Sequence, residues 1–158
     1  MIKIKIFDTT DSCLPKIIKK GEWVDLINAE NVKLKAGVES TKISLGIISQ
    51  LPKGYEAWIL PRSSTYSKYF ITQVNSMGVI DSSYCGKNDI WKMNVKAHKD
   101  VFIPKGKRIA QFRIQLSQKA TFWQKLKWFF SSGIKIVQID KITEESRGGF
   151  GSTGEDKI

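Results

Sequence analysis

The sequence predicts a mainly β protein, and two features of its pattern indicate this class. Short apolar runs recur along the chain, and turn-forming residues such as Gly, Pro, Asn and Asp separate them. Several runs also alternate apolar with polar residues, as residues 2–6 do with Ile and Lys, which is typical of a half-exposed strand. One segment, residues 119–133, departs from this pattern and has the spacing of a helix.

The strands follow one another with short turns between them. We expect turns at residues 51–54 and 105–108, which contain Gly and Lys, and a polar loop at residues 8–16. The predicted strands cover residues 2–6, 21–26, 31–36, 41–48, 55–60, 92–103, 109–114 and 134–139, with a further unit within residues 75–86.

The totals bound the class of protein. A length of 158 residues with 41% apolar content favours one globular domain with its own core. The net charge is +11, but the lysines are spread along the chain, so charge alone does not predict binding to nucleic acid. Cys13, Cys85 and the single His98 show no zinc spacing. With no signal-peptide pattern and no apolar run long enough to cross a membrane, we expect a cytoplasmic protein.

Residues 75–86 carry the most informative stretch, N-S-M-G-V-I-D-S-S-Y-C-G. Met77, Val79 and Ile80 predict a buried strand, and residues 81–83 interrupt it with turn chemistry. A strand–turn–strand unit of this kind offers backbone groups that can bond a flat ring, with Asp81 at its rim and Tyr84 as a face to stack on. A hairpin in which Asp81 only makes an Asx turn is the plain alternative.

Three other stretches contain notable polar residues, and the first and third of them offer groups suited to a phosphate ligand. Residues 61–68 place hydroxyls beside Arg62, although a Ser/Thr-rich loop or a capped helix start explains them as well. In residues 109–114, Gln111 shares a strand face with Ile109 and Arg113. Residues 147–154 hold four glycines with Arg147 and Phe150, and such a segment either wraps a ligand or forms a flexible tail.

The predicted helix is amphipathic. Thr121 is placed to cap its start, and residues 131–133 end it. Its apolar stripe consists of Phe122, Trp123, Leu126, Phe129 and Phe130, with Trp128 pointing away from it. Such a helix packs on its own domain or a neighbouring subunit, or it docks on a membrane surface or a protein partner.

Taken together and in this order, these stretches resemble the five motifs of the trimeric dUTPase family, in the form found in Gram-positive bacteria and their phages. The motifs are G-E-W-V-D-L at residues 21–26, P-R-S-S at residues 61–64, G-V-I-D-S-S-Y at residues 78–84, K-G-K-R-I-A-Q at residues 105–111 and R-G-G-F-G-S-T-G at residues 147–154. The first keeps only the Asp-Leu of the family pattern, and Lys107 stands where the family usually has Asp.

The resemblance implies a jelly-roll-like subunit in a homotrimer, with a β-rich domain at residues 1–146 and a glycine-rich arm at residues 147–158 that closes over a site at the subunit interface. It implies magnesium-dependent hydrolysis of dUTP to dUMP and pyrophosphate, which keeps uracil out of DNA. A dCTP deaminase of the same fold and a dUTP-sensing regulatory protein are the alternatives. The helix near residues 121–132 looks like an insertion that packs on the trimer or docks a protein partner.

The resemblance also implies a role for each matched residue. Asp81 activates the water that attacks the α-phosphate, Gln111 helps to position that water, and Asp25 holds magnesium through water. Tyr84 packs on the deoxyribose. The other implied substrate-binding residues are Asn75, Gly78 and Ile80 at the uracil, Arg62, Ser63 and Ser64 at the phosphates, and Arg147, Phe150, Gly151, Ser152 and Thr153 in the arm, with Trp91 as an alternative to Phe150 over the uracil.

Overall fold

The alternating runs form strands in the structure, a computed structural model that describes residues 1–15, 17 and 21–146. The strands are β1 (Ile2–Asp8), β2 (Val24–Ile27), β3 (Val32–Leu34), β4 (Thr41–Ser44), β5 (Ile47–Gln50), β6 (Tyr55–Pro61), β7 (Ile71–Gln73), β8 (Gly78–Asp81), β9 (Lys92–Ala97), β10 (Val101–Ile103), β11 (Arg108–Leu116) and β12 (Ile134–Gln138). The helices are α1 (Thr65–Tyr69) and α2 (Phe122–Phe129). The prediction of a mainly β chain with a helix near residues 121–132 is confirmed. Residues 61–68 include the start of α1, although the Ser64 side chain makes no capping hydrogen bond.

The strands form four sheets around one core. Their orders are β12-β1-β5, β10-β3, β2-β11-β6-β8 and β4-β9-β7. β1 and β12 pair in parallel, whereas the other pairs in these sheets are antiparallel. The sheet β2-β11-β6-β8 carries three of the predicted site residues, because Asp25, Asp81 and Gln111 all lie on its strands.

The core draws on strands of every sheet. In β1, Ile2, Ile4 and Ile6 are buried while the lysines between them are exposed, as the alternation predicts. Trp91 and Phe112 are both fully buried and meet edge to face with ring centroids 5.2 Å apart. Each large apolar side chain buried in this way contributes about 1.5–3 kcal/mol to folding.

Residues 75–86 form only half of the predicted strand–turn–strand unit. β8 is followed by a turn in which the Tyr84 N–H donates to the Asp81 carbonyl at 3.2 Å. The next strand, β9, starts at Lys92 and belongs to a different sheet. The prediction of a buried strand is also wrong, because β8 is the edge strand of its sheet and Val79 is 52% exposed.

Residues 41–48 divide into two strands on different sheets, where the sequence predicts one. The chain turns at Gly46, which has a φ of +67°, a conformation that favours glycine. A Cβ atom at this position would lie 2.6 Å from the Cys13 sulfur, so the site also has no room for a side chain.

The helix α2 is capped as predicted, but its apolar stripe faces away from the domain. The Thr121 hydroxyl accepts the Gln124 N–H, and the Gln124 side chain accepts the Thr121 N–H, forming a capping box. Its apolar stripe is exposed, with Phe129 at 80%. Trp128, which points away from the stripe as predicted, packs against the core, and its ring centroid lies 5.8 Å from that of Tyr55.

Candidate active site

Asp25 pairs with two arginines at one end of the four-stranded sheet. Arg62 Nε donates to Asp25 Oδ1 at 2.6 Å, and Arg108 Nη1 donates to Asp25 Oδ2 at 2.9 Å. We call Asp25, Arg62 and Arg108 the Asp25 cluster. Its two guanidinium groups outnumber its one carboxylate, so the cluster carries a net positive charge that suits phosphate oxygens.

Two polar residues hold the chain in place around the Asp25 cluster. The buried side chain of Asn28 accepts the Lys107 N–H at 2.7 Å and donates to the Pro104 carbonyl at 2.9 Å, which positions the turn before Arg108. The Thr65 hydroxyl donates to the Ile109 carbonyl at 2.8 Å and accepts the Arg62 N–H at 3.1 Å. The loop that carries Arg62 is therefore tied to β11.

Gln111 lies beside the Asp25 cluster, since it pairs with Asp25 across β2 and β11. Its Nε2 donates to the Pro61 carbonyl at 3.2 Å. The register between β2 and β11 shifts between Arg108 and Ala110. Ile109 is fully buried while Gln111 and Arg113 are not, so the prediction that Ile109 shares their face is wrong.

The two predicted phosphate-binding serines follow Arg62 directly. Ser63 is exposed, and Ser64 is the residue that precedes the first turn of α1. Both therefore lie at the same end of β6 as the Asp25 cluster. The structure brings together one predicted group: Asp25, Arg62, Ser63, Ser64 and Gln111.

Asp81 ends β8 and belongs to a second group. Its Oδ1 accepts hydrogen bonds from the Ser83 N–H, at 2.8 Å, and from the Ser83 hydroxyl. The predicted Asx turn is therefore present, and it fixes the orientation of the carboxylate. Asp81 lines a cleft of about 730 Å³ that Lys53 and Lys119 also border.

Tyr84 is half-buried close to Asp81. Its ring packs against the core, and its hydroxyl donates to the Ile90 carbonyl at 3.2 Å. Burial raises the pKa of Tyr84, and the negative charge of Asp89 raises it further. The side chain is thus a neutral, well-held ring at neutral pH.

The predicted uracil-binding residues surround the turn that precedes β8. Asn75 Nδ2 donates to the Met77 carbonyl at 3.4 Å, and Ser76 adopts a φ of +55°. Gly78 and Ile80 lie in β8, which pairs with β6 on one side only in the sheet as described. The other edge of β8 presents backbone donors and acceptors of the kind that a planar ring can bond.

Trp91 cannot cover a ligand, because it is fully buried and its ring contacts Phe112. The prediction that it shares the role of a lid over uracil is wrong. Its large side chain fills the core between the sheets. In a sequence, a single aromatic residue is as compatible with core packing as with ligand binding.

The two groups lie far apart within one chain. Glu56, near the start of β6, pairs with Asp81, whereas Arg62 directly follows the other end of that strand. Positions 56 and 62 are six residue steps apart along an extended chain, which corresponds to about 20 Å. A single chain therefore presents Asp81 and the Asp25 cluster at opposite ends of one strand.

The segment that leads to the predicted arm is held close to Tyr84. The buried carboxylate of Asp89 accepts the Gly86 N–H at 2.9 Å and a hydrogen bond from the Ser146 hydroxyl. The Lys87 N–H donates to the Glu144 carbonyl at 3.2 Å. The arm residues Arg147, Phe150, Gly151, Ser152 and Thr153 lie outside the described residues.

Sequence reasoning missed Arg108, Asn28 and Asp89 as parts of the site. Arg108 stands within the fourth motif, but its contact with Asp25 joins residues that are 83 positions apart in sequence. Asn28 bonds the backbone of Pro104 and Lys107, which are distant in sequence, and Asp89 bonds the Gly86 N–H within its own loop. The sequence gives only a weak signal that an Asn or Asp is buried, namely a polar residue that stands between apolar ones.

Within residues 1–15, 17 and 21–146, no cluster of three or more His, Cys, Asp or Glu side chains is arranged to hold a metal ion. Across the same residues, the helices are too short and too polar for any of them to span a bilayer.

Comparison with known proteins identifies the family. The dUTPase family model matches residues 24–154. The chain is 42% identical over 153 residues, 97% of each chain, to the SPbeta prophage-derived deoxyuridine 5'-triphosphate nucleotidohydrolase YosS of Bacillus subtilis (strain 168).

Solved structures share the fold. The dUTPase of Streptococcus mutans superimposes with a TM-score of 0.66 at 24% identity, covering 74% of this chain and 98% of that one. A mutant dUTPase from phage phi11 of S. aureus, described with a structural Mg(II) ion, superimposes with a TM-score of 0.63 at 19% identity, covering 75% of this chain and 94% of that one. The predicted jelly-roll-like dUTPase fold is confirmed by these neighbours. The chain belongs to the dUTPase family.

Proposed function

We propose that this protein hydrolyses dUTP to dUMP and pyrophosphate. The observation that carries the proposal is the 42% identity, over 97% of the chain, to a protein named as a deoxyuridine 5'-triphosphate nucleotidohydrolase. A soluble nucleotide substrate fits the expectation of a cytoplasmic enzyme.

Asp81 is the proposed catalytic residue. Its carboxylate accepts a proton from the water that attacks the α-phosphate, and the water and the pyrophosphate leaving group lie in line. The two hydrogen bonds from Ser83 support this role, because they hold one carboxylate oxygen and leave the carboxylate pre-oriented. Gln111 helps to position the same water.

The sugar and the base are bound near the turn that carries Asp81. Tyr84 packs on the deoxyribose, where a 2′-hydroxyl would collide with its ring, so UTP is excluded. Asn75 and the backbone around Gly78 and Ile80 bond the uracil. Support comes from the free edge of β8 in the described sheet, since backbone groups of fixed geometry can discriminate between base edges.

The phosphate chain binds the positively charged Asp25 cluster. Arg62 makes charge-assisted hydrogen bonds to phosphate oxygens, and Ser63 and Ser64 add neutral donors. We add Arg108 to this set, because it pairs with Asp25 and is still 51% exposed. In the arm, Arg147, Ser152 and Thr153 contact the β- and γ-phosphates, Phe150 covers the uracil, and Gly151 permits close approach of the backbone.

Magnesium is the proposed cofactor, and a metal carried by the triphosphate fits the residues present. Both oxygens of Asp25 already bond guanidinium groups, so Asp25 contacts the ion only through water. Magnesium keeps several waters and binds phosphate oxygens, which agrees with the lack of a carboxylate cluster in the described part of the chain. When bound, the ion neutralises charge on the phosphate chain.

We further propose a homotrimer with each site shared between chains. The separation of about 20 Å between Asp81 and the Asp25 cluster supports sharing, because one triphosphate cannot span both ends of β6. In this arrangement, residues 1–146 form the domain, and residues 147–158 form the arm that closes over a site at the interface.

The test is release of pyrophosphate from dUTP, UTP, dTTP and dCTP with magnesium, measured on the native chain and on Asp81→Asn. We expect rapid release from dUTP alone and a loss of at least about a hundredfold in kcat for the variant. Removal of magnesium by a chelator should also abolish release. Release of ammonia from dCTP, or tight binding of dUTP without hydrolysis, would overturn the proposal.

A further inference from the structure

The outer face of α2 is a large exposed apolar surface. Four aromatic side chains on it are more than two thirds exposed: Phe122 at 69%, Trp123 at 74%, Phe129 at 80% and Phe130 at 76%. Leu126, at 37%, lies among them on the helix. Clustered apolar groups of this size mark an interaction site, because their contact with water is unfavourable. We call these five residues the aromatic face.

The opposite side of α2 attaches the helix to the domain. Gln124 Nε2 donates to the Lys53 carbonyl at 2.8 Å, and the Trp128 ring lies 5.8 Å from that of Tyr55. At about 100° per residue, Gln124 and Trp128 lie on average opposite the centre of the aromatic face. The helix is therefore held on the domain with its aromatic face directed outward.

Lysines border the aromatic face on both sides. At the same helical spacing, Lys125 and Lys127 each lie about 40° beyond one edge of the face. Lys119 precedes the helix and Lys135 follows it, and residues 117–139 contain four Lys and no Asp or Glu. An occupant of this surface must therefore be apolar at its centre and negatively charged at its margin.

We propose that α2 binds the surface of an anionic lipid bilayer, with the aromatic face inserted among the head groups and the flanking lysines at the lipid phosphates. Aromatic residues on one face and Lys beside it are the features of helices that lie in the plane of a membrane. At eight residues, or about 12 Å, α2 is long enough to lie on a bilayer and too short to cross it.

The charges disfavour a second copy of the chain as the occupant. Two aromatic faces placed against each other would also bring together their bordering lysines, Lys125 and Lys127 of each chain. Like charges at the margin of an interface oppose association. An anionic bilayer supplies the complementary charge instead.

The experiment measures flotation of the full-length protein with lipid vesicles. One set of vesicles contains phosphatidylcholine alone, and the other contains equal parts of phosphatidylcholine and phosphatidylglycerol. The proteins compared are the native chain, Phe129→Ser with Phe130→Ser, Lys125→Gln with Lys127→Gln, and the matched charge control Lys33→Gln with Lys35→Gln, which loses the same charge on exposed residues distant in sequence from α2.

We expect the native protein to float with the anionic vesicles and not with phosphatidylcholine alone. The Phe variant should lose this binding, and the Lys125 and Lys127 variant should bind about thirtyfold more weakly, since each lysine near the surface contributes roughly fivefold. The matched charge control should bind nearly as well as the native protein. All variants should retain the native melting temperature, because the replaced side chains are exposed.

Three results would overturn the proposal. The first is no flotation of the native protein with anionic vesicles. The second is equal flotation of the native protein and the Phe variant. The third, measured without vesicles, is a larger assembly mass for the native protein than for the Phe variant, which would assign the aromatic face to a contact between copies. If the aromatic face binds an acidic protein and not anionic vesicles, the native protein will not float, which is the first of these results.

Discussion

Single residues of this protein combine a functional role with a structural one. Asp25 shows this most clearly, because the carboxylate predicted to reach magnesium through water also fixes two arginines. Removing a carboxylate of this kind would leave two neighbouring cations repelling each other in a partly buried place. The positive cluster that is proposed to bind phosphates is thus stabilised by the one acid within it.

Tyr84 leads to a prediction about pH. Burial, and then the charge of Asp89, raise the pKa of its phenol in the folded protein. Its contribution to stability is therefore complete below the unfolded value of about 10 and is lost as pH rises through the higher folded value. Urea unfolding should show the free energy of unfolding falling above about pH 10, and falling less in Tyr84→Phe. An identical decline in the variant would contradict this assignment.

At the level of elements, the orientation of α2 excludes one of the arrangements that its sequence leaves open, in which the apolar stripe packs on its own domain. The sequence identifies the helix and its Thr121 cap correctly, but packing of the apolar stripe on its own domain, one of the predicted alternatives, is not what the structure shows. A hydrophobic stripe is buried only when a complementary surface exists, and here Tyr55 provides that surface for Trp128 instead. Periodicity therefore predicts a helix and its stripe, but the partner of the stripe is a tertiary property.

The difference between the two faces of α2 can be measured. Trp128→Ala should lower the free energy of unfolding by about 1–3 kcal/mol, because it removes an aromatic contact with the core. Phe129→Ala is the matched control, since it truncates the neighbouring aromatic residue on the exposed face and should change stability by no more than about 0.5 kcal/mol. Equal costs for the two variants, measured by urea unfolding, would show that the orientation is wrong.

A close approach of two backbone segments links the turn after β8 to the predicted arm. A Cβ atom at Gly86 would lie 2.2 Å from the Glu145 carbonyl oxygen, so Gly86→Ala must displace the segment that precedes residue 147. We expect kcat/KM for dUTP to fall by about tenfold or more, because displaced binding groups lose their alignment with the substrate.

Ser146→Ala provides the milder comparison at this contact. It removes one hydrogen bond to Asp89 and leaves the backbone path free, so kcat/KM should fall less than in Gly86→Ala. Steady-state kinetics with dUTP check both variants. An unchanged kcat/KM in Gly86→Ala would show that the position of the arm does not depend on this contact.

At the scale of the whole molecule, the sequence predicts most of the strands but not how they are arranged in sheets. Alternation places β1 and β6 well, because their buried faces follow period two. The break at Gly46 and the shift near Arg108 could not be predicted, because both arise from contacts between distant segments. The burial of Trp91 was missed for the same reason.

The central claim concerns assembly of the site from more than one chain. Asp81 and Arg62 lie at opposite ends of β6 within a chain, and yet both are proposed to contact one dUTP. Each position can be disabled by itself, through Asp81→Asn or Arg62→Ala. A site shared between chains and a site within one chain make opposite predictions for mixtures of these two inactive variants.

The measurement that tests this claim most directly is dUTP hydrolysis by assemblies purified after co-expression of Asp81→Asn and Arg62→Ala chains. Random mixing should restore about a quarter of native activity, because half of the sites receive an intact Asp81 and half of those an intact Arg62 cluster. Assemblies of each variant alone should be inactive. Mixed assemblies of normal mass that stay as inactive as the single variants would contradict a shared site.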